Sequence, residues 1–169
     1  MKVNLVAPHE MSTEFTIQKA TANDAPEVAE MVGELLAGIM SAIGIQAFNF
    51  DLAETTSRLT EFLNREKYFV FVARSESGNP AGFIALYESY ALYAEGAFGT
   101  IPELFVRPEH RTNGLGLHLV SQAKAFGSSR GWTRLEVTTP PLPQFDRTLA
   151  FYEREGFAIS GGRKLKVFL

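Results

Sequence analysis

Apolar and polar residues alternate near the start of the chain and then recur at helical spacing. The alternation over residues 15–20 is typical of a strand that is buried on one face. Apolar residues at helical spacing over 28–39 predict a first helix, with Asp24 and Glu27 as an N-cap pair. A second helix is predicted over 51–65. This part of the chain therefore predicts one strand followed by two helices.

The middle of the chain predicts most of a sheet. Residues 68–73 form a continuous apolar run, and turn-forming residues separate it from a second predicted strand over 81–90, which indicates a hairpin. A fourth strand is predicted over 100–106. The amphipathic helix predicted over 115–126 and the strand predicted over 134–138 then complete a strand-helix-strand crossover.

The C-terminal part predicts one more helix and one more hairpin. Asp146 is a candidate cap for a short fourth helix, and Gly156 is a candidate for its end. Residues 157–169 predict a last hairpin around Gly161 and Gly162. The whole pattern predicts an α/β fold, with a mixed sheet of about seven strands and four helices.

Composition limits the classes of protein that fit this pattern. The chain has 169 residues, of which 46% are hydrophobic and 21% are charged, which is typical of one globular domain. We expect that domain over 13–169, after a mobile extension over 1–12. The chain has no cysteine, which excludes disulfides, thiolate metal sites and a catalytic thiol.

Charge and hydropathy also indicate what the protein binds and where it lies. The net charge is −3 and no basic stripe stands out, which argues against a nucleic-acid partner. No apolar run approaches the ~20 residues that span a bilayer, and the first residues do not form a signal peptide. We therefore expect a cytoplasmic protein without membrane contact that acts on a small molecule.

The segment 111–116, with the sequence RTNGLG, is a candidate phosphate-binding turn. It precedes a predicted helix, where unpaired backbone N–H groups and the helix dipole attract anions. Gly114 and Gly116 lack a Cβ, so an anion can approach the backbone closely, and Arg111 adds a positive charge. The P-loop string is absent, and the dinucleotide fingerprint requires a glycine where this chain has Leu119. A tight turn without a ligand is the alternative.

Two motifs resemble signatures of one enzyme family. Residues 103–116, ELFVRPEHRTNGLG, resemble the central signature of the GCN5-related N-acetyltransferases, and residues 149–157, LAFYEREGF, are similar to the family's A-x-x-F-Y-x-x-x-G-F. The predicted order of elements from residue 15 onward also resembles the family fold. The resemblance implies a chain that binds acetyl-CoA as co-substrate and uses no metal. One departure is Thr138, at the strand end where many relatives present an asparagine to the pantetheine.

The resemblance also implies the residues that hold the cofactor. The backbone of the fourth strand would hold the pantetheine arm and the acetyl carbonyl, and the turn would enclose the pyrophosphate. The implied cofactor-binding residues are Phe105, Val106, Arg111, Thr112, Asn113, Gly114, Leu115, Gly116 and Tyr152.

Acetyl transfer to an amine requires a base for the amine proton and benefits from an acid for the departing thiolate. Tyr152 is the candidate acid, because a phenol keeps its proton at neutral pH and the resemblance directs it towards the sulfur. Glu103 is the candidate base, with Glu88 and water alone as alternatives. Neither His110 nor His118 has a second ligand at metal spacing, so we assign them no role.

The acceptor is predicted only at the level of its class. Aromatic residues in the 41–50 loop and around the third and fourth strands are candidates for an acceptor pocket, although core packing explains them equally well. They are Phe48, Phe50, Tyr87, Tyr90 and Tyr93. The interpretation that we favour is transfer to a primary amine of a small molecule. A protein or peptide acceptor, a non-catalytic CoA-binding domain and a homodimer paired through the terminal hairpin stay open.

Overall fold

The computed structural model describes residues 14–169, and the extension predicted over residues 1–12 lies outside the described residues. The described chain folds into a mixed α/β structure around a six-stranded sheet. The strands are β1 Thr16–Lys19, β2 Phe69–Arg74, β3 Pro80–Ala91, β4 Gly96–Ile101, β5 Leu104–Val106 and β6 Leu135–Val137. The helices are α1 Ala25–Ile43, α2 Leu52–Asn64, α3 Leu115–Ser129 and α4 Asp146–Arg154. None of these helices is long and apolar enough to cross a membrane.

α1 begins after the predicted N-cap residue Asp24, but an ion pair rather than a side-chain cap bond holds this end of the helix. Asp24 accepts a hydrogen bond from Thr21 N at 2.8 Å, within a short turn before the helix. Its other carboxylate oxygen and Glu27 both pair with Arg74 Nη2, at 2.9 and 2.6 Å. Asp24 therefore holds the predicted N-cap position, but its side chain makes no cap bond, because both carboxylates connect α1 to the end of β2.

The other helix ends agree in part with the sequence. Asp51 caps α2 by accepting a hydrogen bond from Glu54 N at 2.8 Å, and the helix lies within the predicted range 51–65. Asp146 is wrong as a cap, because it is the first residue of α4 and Phe145 holds the cap position. Its carboxylate lies in the first turn, where a negative charge favours the helix dipole.

The sheet separates two apolar cores, because successive side chains of a strand point to opposite faces. Under α3 and α4, Ile84 and Leu86 of β3 pack with Leu115, Leu119 and other core residues. Under α1 and α2, residues of β3 and β5 pack with the two helices, including Phe83, Ala85, Phe105, Met31 and Leu59. Successive residues of β3 therefore pack into two different cores.

The fourth strand that the sequence predicts over 100–106 is two strands in the structure. β4 ends at Ile101 and β5 begins at Leu104, with Pro102 and Glu103 between them. Proline has no backbone N–H to donate to a ladder, so the single-strand prediction is wrong at this residue. The break places Glu103 directly before β5, next to the point where β5 and β6 are no longer paired.

The hairpin predicted over 157–169 does not form. After Val137, no described residue belongs to a strand, and the terminal segment is largely exposed, with Leu165 at 90%. An alternating segment becomes a strand only where a neighbouring edge pairs with it, and here β6 lacks that pairing. The sheet therefore has six strands rather than about seven, and a groove of about 1160 Å³ lies beside β6.

Candidate active site

The sheet opens between β5 and β6. β4 pairs with β6 in parallel, from Gly99 with Leu135 to Ile101 with Val137. β5 pairs antiparallel with β3, and no ladder of the described chain joins it to β6. β5 and β6 are therefore not paired with each other, and the opening between them is the place where the family resemblance puts the cofactor.

The register of β5 determines which of its backbone groups face this opening. Two backbone bonds of 2.9 Å flank the strand, from Ala85 N to Glu103 O and from Arg107 N to Ala81 O. Hydrogen-bonded and non-bonded pairs alternate in an antiparallel ladder, so Phe105 is bonded to β3. The N–H and C=O groups of Leu104 and Val106 consequently point away from β3, towards the opening. Leu104, rather than Phe105, is thus available beside Val106.

The turn that leads into α3 presents several free backbone donors. Gly114 holds the N-cap position with φ +70°, and its carbonyl accepts the bond from His118 N at 3.2 Å. In the part of the chain that the structure describes, no backbone acceptor takes the N–H groups of Thr112, Gly114, Leu115 or Gly116. These donors gather at the positive end of a fifteen-residue helix, which suits an anion.

Arg111 connects the turn to β5. Its Nε donates to Val106 O at 2.9 Å, and its guanidinium lies 5.8 Å from the centroid of the Phe105 ring. Its two terminal nitrogens make no hydrogen bond to the described residues, so they can still contact a phosphate. Asn113 contributes a backbone bond to His110 O at 3.4 Å, which tightens the turn.

Gly116 lies at the contact between α3 and α4. A Cβ at this position would lie 3.3 Å from the ring of Phe151 on α4. The missing side chain therefore lets α4 pack closely on the first turn of α3. This packing places the helix that carries Tyr152 beside the phosphate turn.

Tyr152 is buried in the core under α3 and α4, with 5% of its surface exposed. Its ring packs edge-on against Phe151 and Phe157, with centroids 5.3 and 5.2 Å away. Burial raises the pKa of the phenol, so the hydroxyl keeps its proton at neutral pH. No buried side-chain oxygen in residues 14–169 lacks a partner, and no described residue bonds this hydroxyl, so it reaches open space.

Glu103 lies on the other face of the sheet. Tyr68 donates a hydrogen bond from its hydroxyl to Glu103 Oε2 at 2.5 Å, and Tyr68 packs against the core under α1 and α2. Burial raises the pKa of the Glu103 carboxyl, while the bond from Tyr68 lowers it. The structure does not bring Glu103 and Tyr152 into contact. It separates the candidate base and acid on opposite faces.

Glu88, the alternative base, is held by three neighbours. Trp132 Nε1 donates to Glu88 Oε1 at 2.6 Å, Tyr90 donates to Oε2, and Arg130 lies 3.6 Å from Oε1. These partners lower the pKa of the Glu88 carboxyl, the bond from Tyr90 most strongly. A carboxylate with a lowered pKa and occupied oxygens is a poor proton acceptor at neutral pH.

The aromatic residues expected to line one acceptor pocket are divided by the structure. Tyr87 stacks on Tyr68, with centroids 6.2 Å apart and an interplanar angle of 13°. Tyr90 and Tyr93 are 74% and 77% exposed, and Tyr93 contacts Arg134 instead. The prediction of a single cluster is wrong, since Tyr87 and Tyr90 are three positions apart on β3 and therefore point to opposite faces, and Tyr93 lies beyond the strand.

The groove beside β6 meets this site at Tyr152. Tyr152 and Thr138 contribute to its wall, but Glu103 and the turn 111–116 do not. The groove lies where the terminal segment fails to pair with β6. The candidate active site is therefore the opening between β5 and β6, with the turn before α3 at one end and Glu103 on the α1 and α2 face.

The fold is that of the GCN5-related acetyltransferases. Residues 37–157 match the model of the Acetyltransferase (GNAT) family. The chain belongs to this family. No curated protein sequence matches the chain.

Solved structures share the fold at low sequence identity. An aminoglycoside acetyltransferase from an uncultured soil metagenomic sample, in complex with sisomicin, aligns with a TM-score of 0.73 and 20% identity over 92% of this chain and 96% of its own. A ribosomal-protein-alanine N-acetyltransferase from Brucella melitensis gives 0.69 and 21%, over 92% and 100%. A predicted acetyltransferase from Clostridium acetobutylicum, solved with acetyl-CoA, gives 0.73 and 15%, over 92% and 96%.

Sequence reasoning missed two residues of the candidate site. Leu104 lies inside the recognised motif, but only the pairing register shows that its backbone faces the opening. Tyr68 is 35 residues from its partner Glu103, and no local pattern links the two. The signal at Tyr68 was a polar aromatic residue at the start of an otherwise apolar strand.

Proposed function

We propose that this chain transfers the acetyl group of acetyl-CoA to a primary amine of a small molecule. The observation that carries the proposal is the open side of β5, where the backbone groups of Leu104 and Val106 lie next to the free N–H donors of the turn 111–116. An extended pantetheine arm needs strand-like partners, and a pyrophosphate needs several donors at a helix start. Both kinds of partner are present here in the required order.

When bound, the cofactor supplies a thioester, which is an activated acyl donor. Leu104 and Val106 would hold the arm in line with β5, while Arg111 and the amides up to Gly116 would neutralise the pyrophosphate. Such contacts depend on the main chain, so they tolerate changes in most side chains of the motif. The geometry of the turn is therefore more important than the identity of Thr112 or Asn113.

The chain's own groups supply the proton transfers. Glu103 would accept the proton that the amine loses, and its raised pKa brings it nearer to the working pH than an ordinary glutamate. Tyr152 keeps a hydroxyl proton for the sulfur, because burial opposes its ionisation. Their separation across the sheet suits a reaction in which the amine and the thiol lie on opposite sides of the acetyl group.

A screen for free thiol release tests the proposal, with acetyl-CoA and a panel of small amines. Peptides with free N-termini form the second arm, because they distinguish a protein acceptor from a small one. The expected result is thiol release with small amines and a rise in Tm with acetyl-CoA alone, equivalent to ~2.7 kcal/mol at 100 times Kd. Absence of stabilisation at millimolar acetyl-CoA would overturn the assignment of the donor, and release with peptides only would overturn the assignment of the acceptor.

A further inference from the structure

The side chain of Tyr68 spans the face of the sheet that α1 and α2 cover, here called the acceptor face because the proposed base Glu103 lies on it. Tyr68 immediately precedes β2, and its hydroxyl bonds the carboxylate at 2.5 Å. β3 lies between them: Ala85 pairs with Val70 of β2 on one side, and its N–H donates to Glu103 O on the other. Ala85 is buried on the same face and has a short side chain, so the tyrosine ring can pass over this row of the sheet.

Two aromatic neighbours fix the ring of Tyr68. Phe62 of α2 packs against it with centroids 5.5 Å apart at 47°, and Tyr87 of β3 stacks on it at 6.2 Å. Contacts from a helix on one side and a strand on the other restrict the rotation of the ring. The hydroxyl therefore has a fixed position relative to Glu103.

In the hydrogen bond between Tyr68 and Glu103, the phenol is the donor and the carboxylate is the acceptor. Burial and the neighbouring Glu103 carboxylate raise the pKa of Tyr68, so this phenol stays protonated and donates. Among the described residues, no lysine or arginine pairs with Glu103, and no hydrogen bond engages its Oε1. One carboxylate oxygen is thus held while the other is free.

Other ionisable groups on this face have their own partners. Tyr87 stacks on Tyr68 and contributes to the rise in its pKa. Glu34 of α1 pairs with Arg107 at 3.0 Å, and Glu61 of α2 pairs with Arg65 at 3.1 Å. Among the described residues, the hydrogen bond from Tyr68 is therefore the specific contact that opposes the rise in the Glu103 pKa caused by burial.

We propose that Tyr68 is a positioning residue, which holds Glu103 through Oε2 so that Oε1 takes the proton from the acceptor amine. The inference rests on the proposed function, because it assigns Tyr68 a role through the base of that reaction. The amine nitrogen loses one proton, and the carboxylate becomes a carboxylic acid that later releases the proton to water. The hydroxyl of Tyr68 remains a donor throughout.

The experiment compares the pH dependence of kcat/KM in the wild type and in Tyr68→Phe. The substitution removes a donor that lowers the pKa of Glu103, so the limb on which activity rises with pH should move to higher pH. A shift of about one pH unit corresponds to a ~10-fold loss of kcat/KM at a pH on that limb. KM for acetyl-CoA should be unchanged, because Tyr68 lies on the acceptor face.

Tyr90→Phe is the matched control. It removes a hydroxyl that also donates to a carboxylate, but that carboxylate is Glu88, on the other face. Its pH profile should superimpose on that of the wild type. Incorporation of 3,5-difluorotyrosine at position 68 provides the opposite change, since a more acidic phenol donates more strongly and should move the limb to lower pH.

A measurement without turnover separates failure of this inference from failure of the proposed function. In protein labelled with ¹³C at the glutamate carboxyl, Glu103→Gln identifies the signal of Glu103, and Tyr68→Phe should raise the pH at which that signal titrates. An unchanged titration or a superimposable rate profile in Tyr68→Phe overturns the positioning role, even in an active enzyme. A wild type that acetylates no amine overturns the proposed function, while the carboxyl titration still reports on the Tyr68 contact.

Discussion

The indole Nε1 of Trp132 donates a hydrogen bond to Glu88 Oε1 at 2.6 Å, which assigns this glutamate to a structural network. Glu88 lies on β3 and Glu103 lies between β4 and β5, and the structure gives these two carboxylates opposite environments. Three partners hold Glu88, whereas Glu103 has one neutral donor and a raised pKa. The two residues therefore form a natural pair for mutational comparison.

Glu103→Gln is predicted to lower kcat by about 100-fold or more, the usual contribution of a general base. The amide keeps the size of the side chain but cannot accept the proton. Glu88→Gln should leave kcat at its wild-type order of magnitude and instead lower Tm, because it weakens the contacts to Trp132 and Arg130. Steady-state kinetics with one accepted amine provides the measurement. Equal losses in the two variants would contradict the assignment of the base.

Tyr152→Phe is predicted to lower kcat by about 10- to 100-fold without a comparable change in KM for the amine. The ring stays in its packing against Phe151 and Phe157, so the fold should be retained, and circular dichroism verifies this. Since burial raises the pKa of the phenol, the wild type should show no activity loss from this group between pH 7 and about 9. Unchanged acetylation by the variant would remove Tyr152 from the acid role.

Gly114→Ala is predicted to raise KM for acetyl-CoA and to lower the free energy of unfolding by about 1 kcal/mol. The position has φ +70° and no heavy atom near the added Cβ, so backbone conformation rather than space requires glycine. Gly44→Ala is the matched control, because Gly44 has φ +69° and equally open surroundings at the end of α1. It should lose similar stability at unchanged KM. A KM effect in both variants would mean that general destabilisation is the cause.

Gly82→Ala is predicted to lower the free energy of unfolding by about 2–3 kcal/mol. The added Cβ would lie 2.6 Å from the backbone oxygen of Phe105, which cannot move without breaking the pairing of β3 with β5. Gly38→Ala should raise the free energy of unfolding by about 0.5–1 kcal/mol, because Gly38 is exposed within α1 and has nothing within 4 Å. Urea denaturation of both variants measures the difference. A neutral Gly82→Ala would show that β5 can move away from β3.

The sequence predicted the parts of this molecule that local patterns encode. Hydrophobic periodicity identified the first three helices and apolar runs identified the β2–β3 hairpin, while the resemblance of 103–116 and 149–157 to two signatures indicated the family. The sequence-based prediction failed where contacts between residues far apart in the chain determine the structure. The pattern over 100–106 reads as one strand, because the effect of Pro102 depends on which neighbour each half pairs with.

Two further limits have the same physical origin. The terminal alternation over 157–169 predicts a hairpin, but strand formation requires a paired edge, and β6 does not pair with this segment. The contact between Tyr68 and Glu103 depends on the order of β2, β3 and β5 in the sheet and on a small residue at position 85. Neither the order of the strands in the sheet nor the position of a side chain across neighbouring strands can be predicted from residue spacing.

The break at Pro102 has a consequence for ligand design. It leaves β5 unpaired with β6 in the described chain, with Glu103 on one face of this opening and Tyr152 on the other. On the proposed function, the amine and the thiol meet only through that opening. A covalent hybrid of the two substrates would therefore need a linker between its two parts that is no wider than an acetyl group. Substitutions confined to the α1 and α2 side would then change the choice of amine while leaving the affinity for the donor intact.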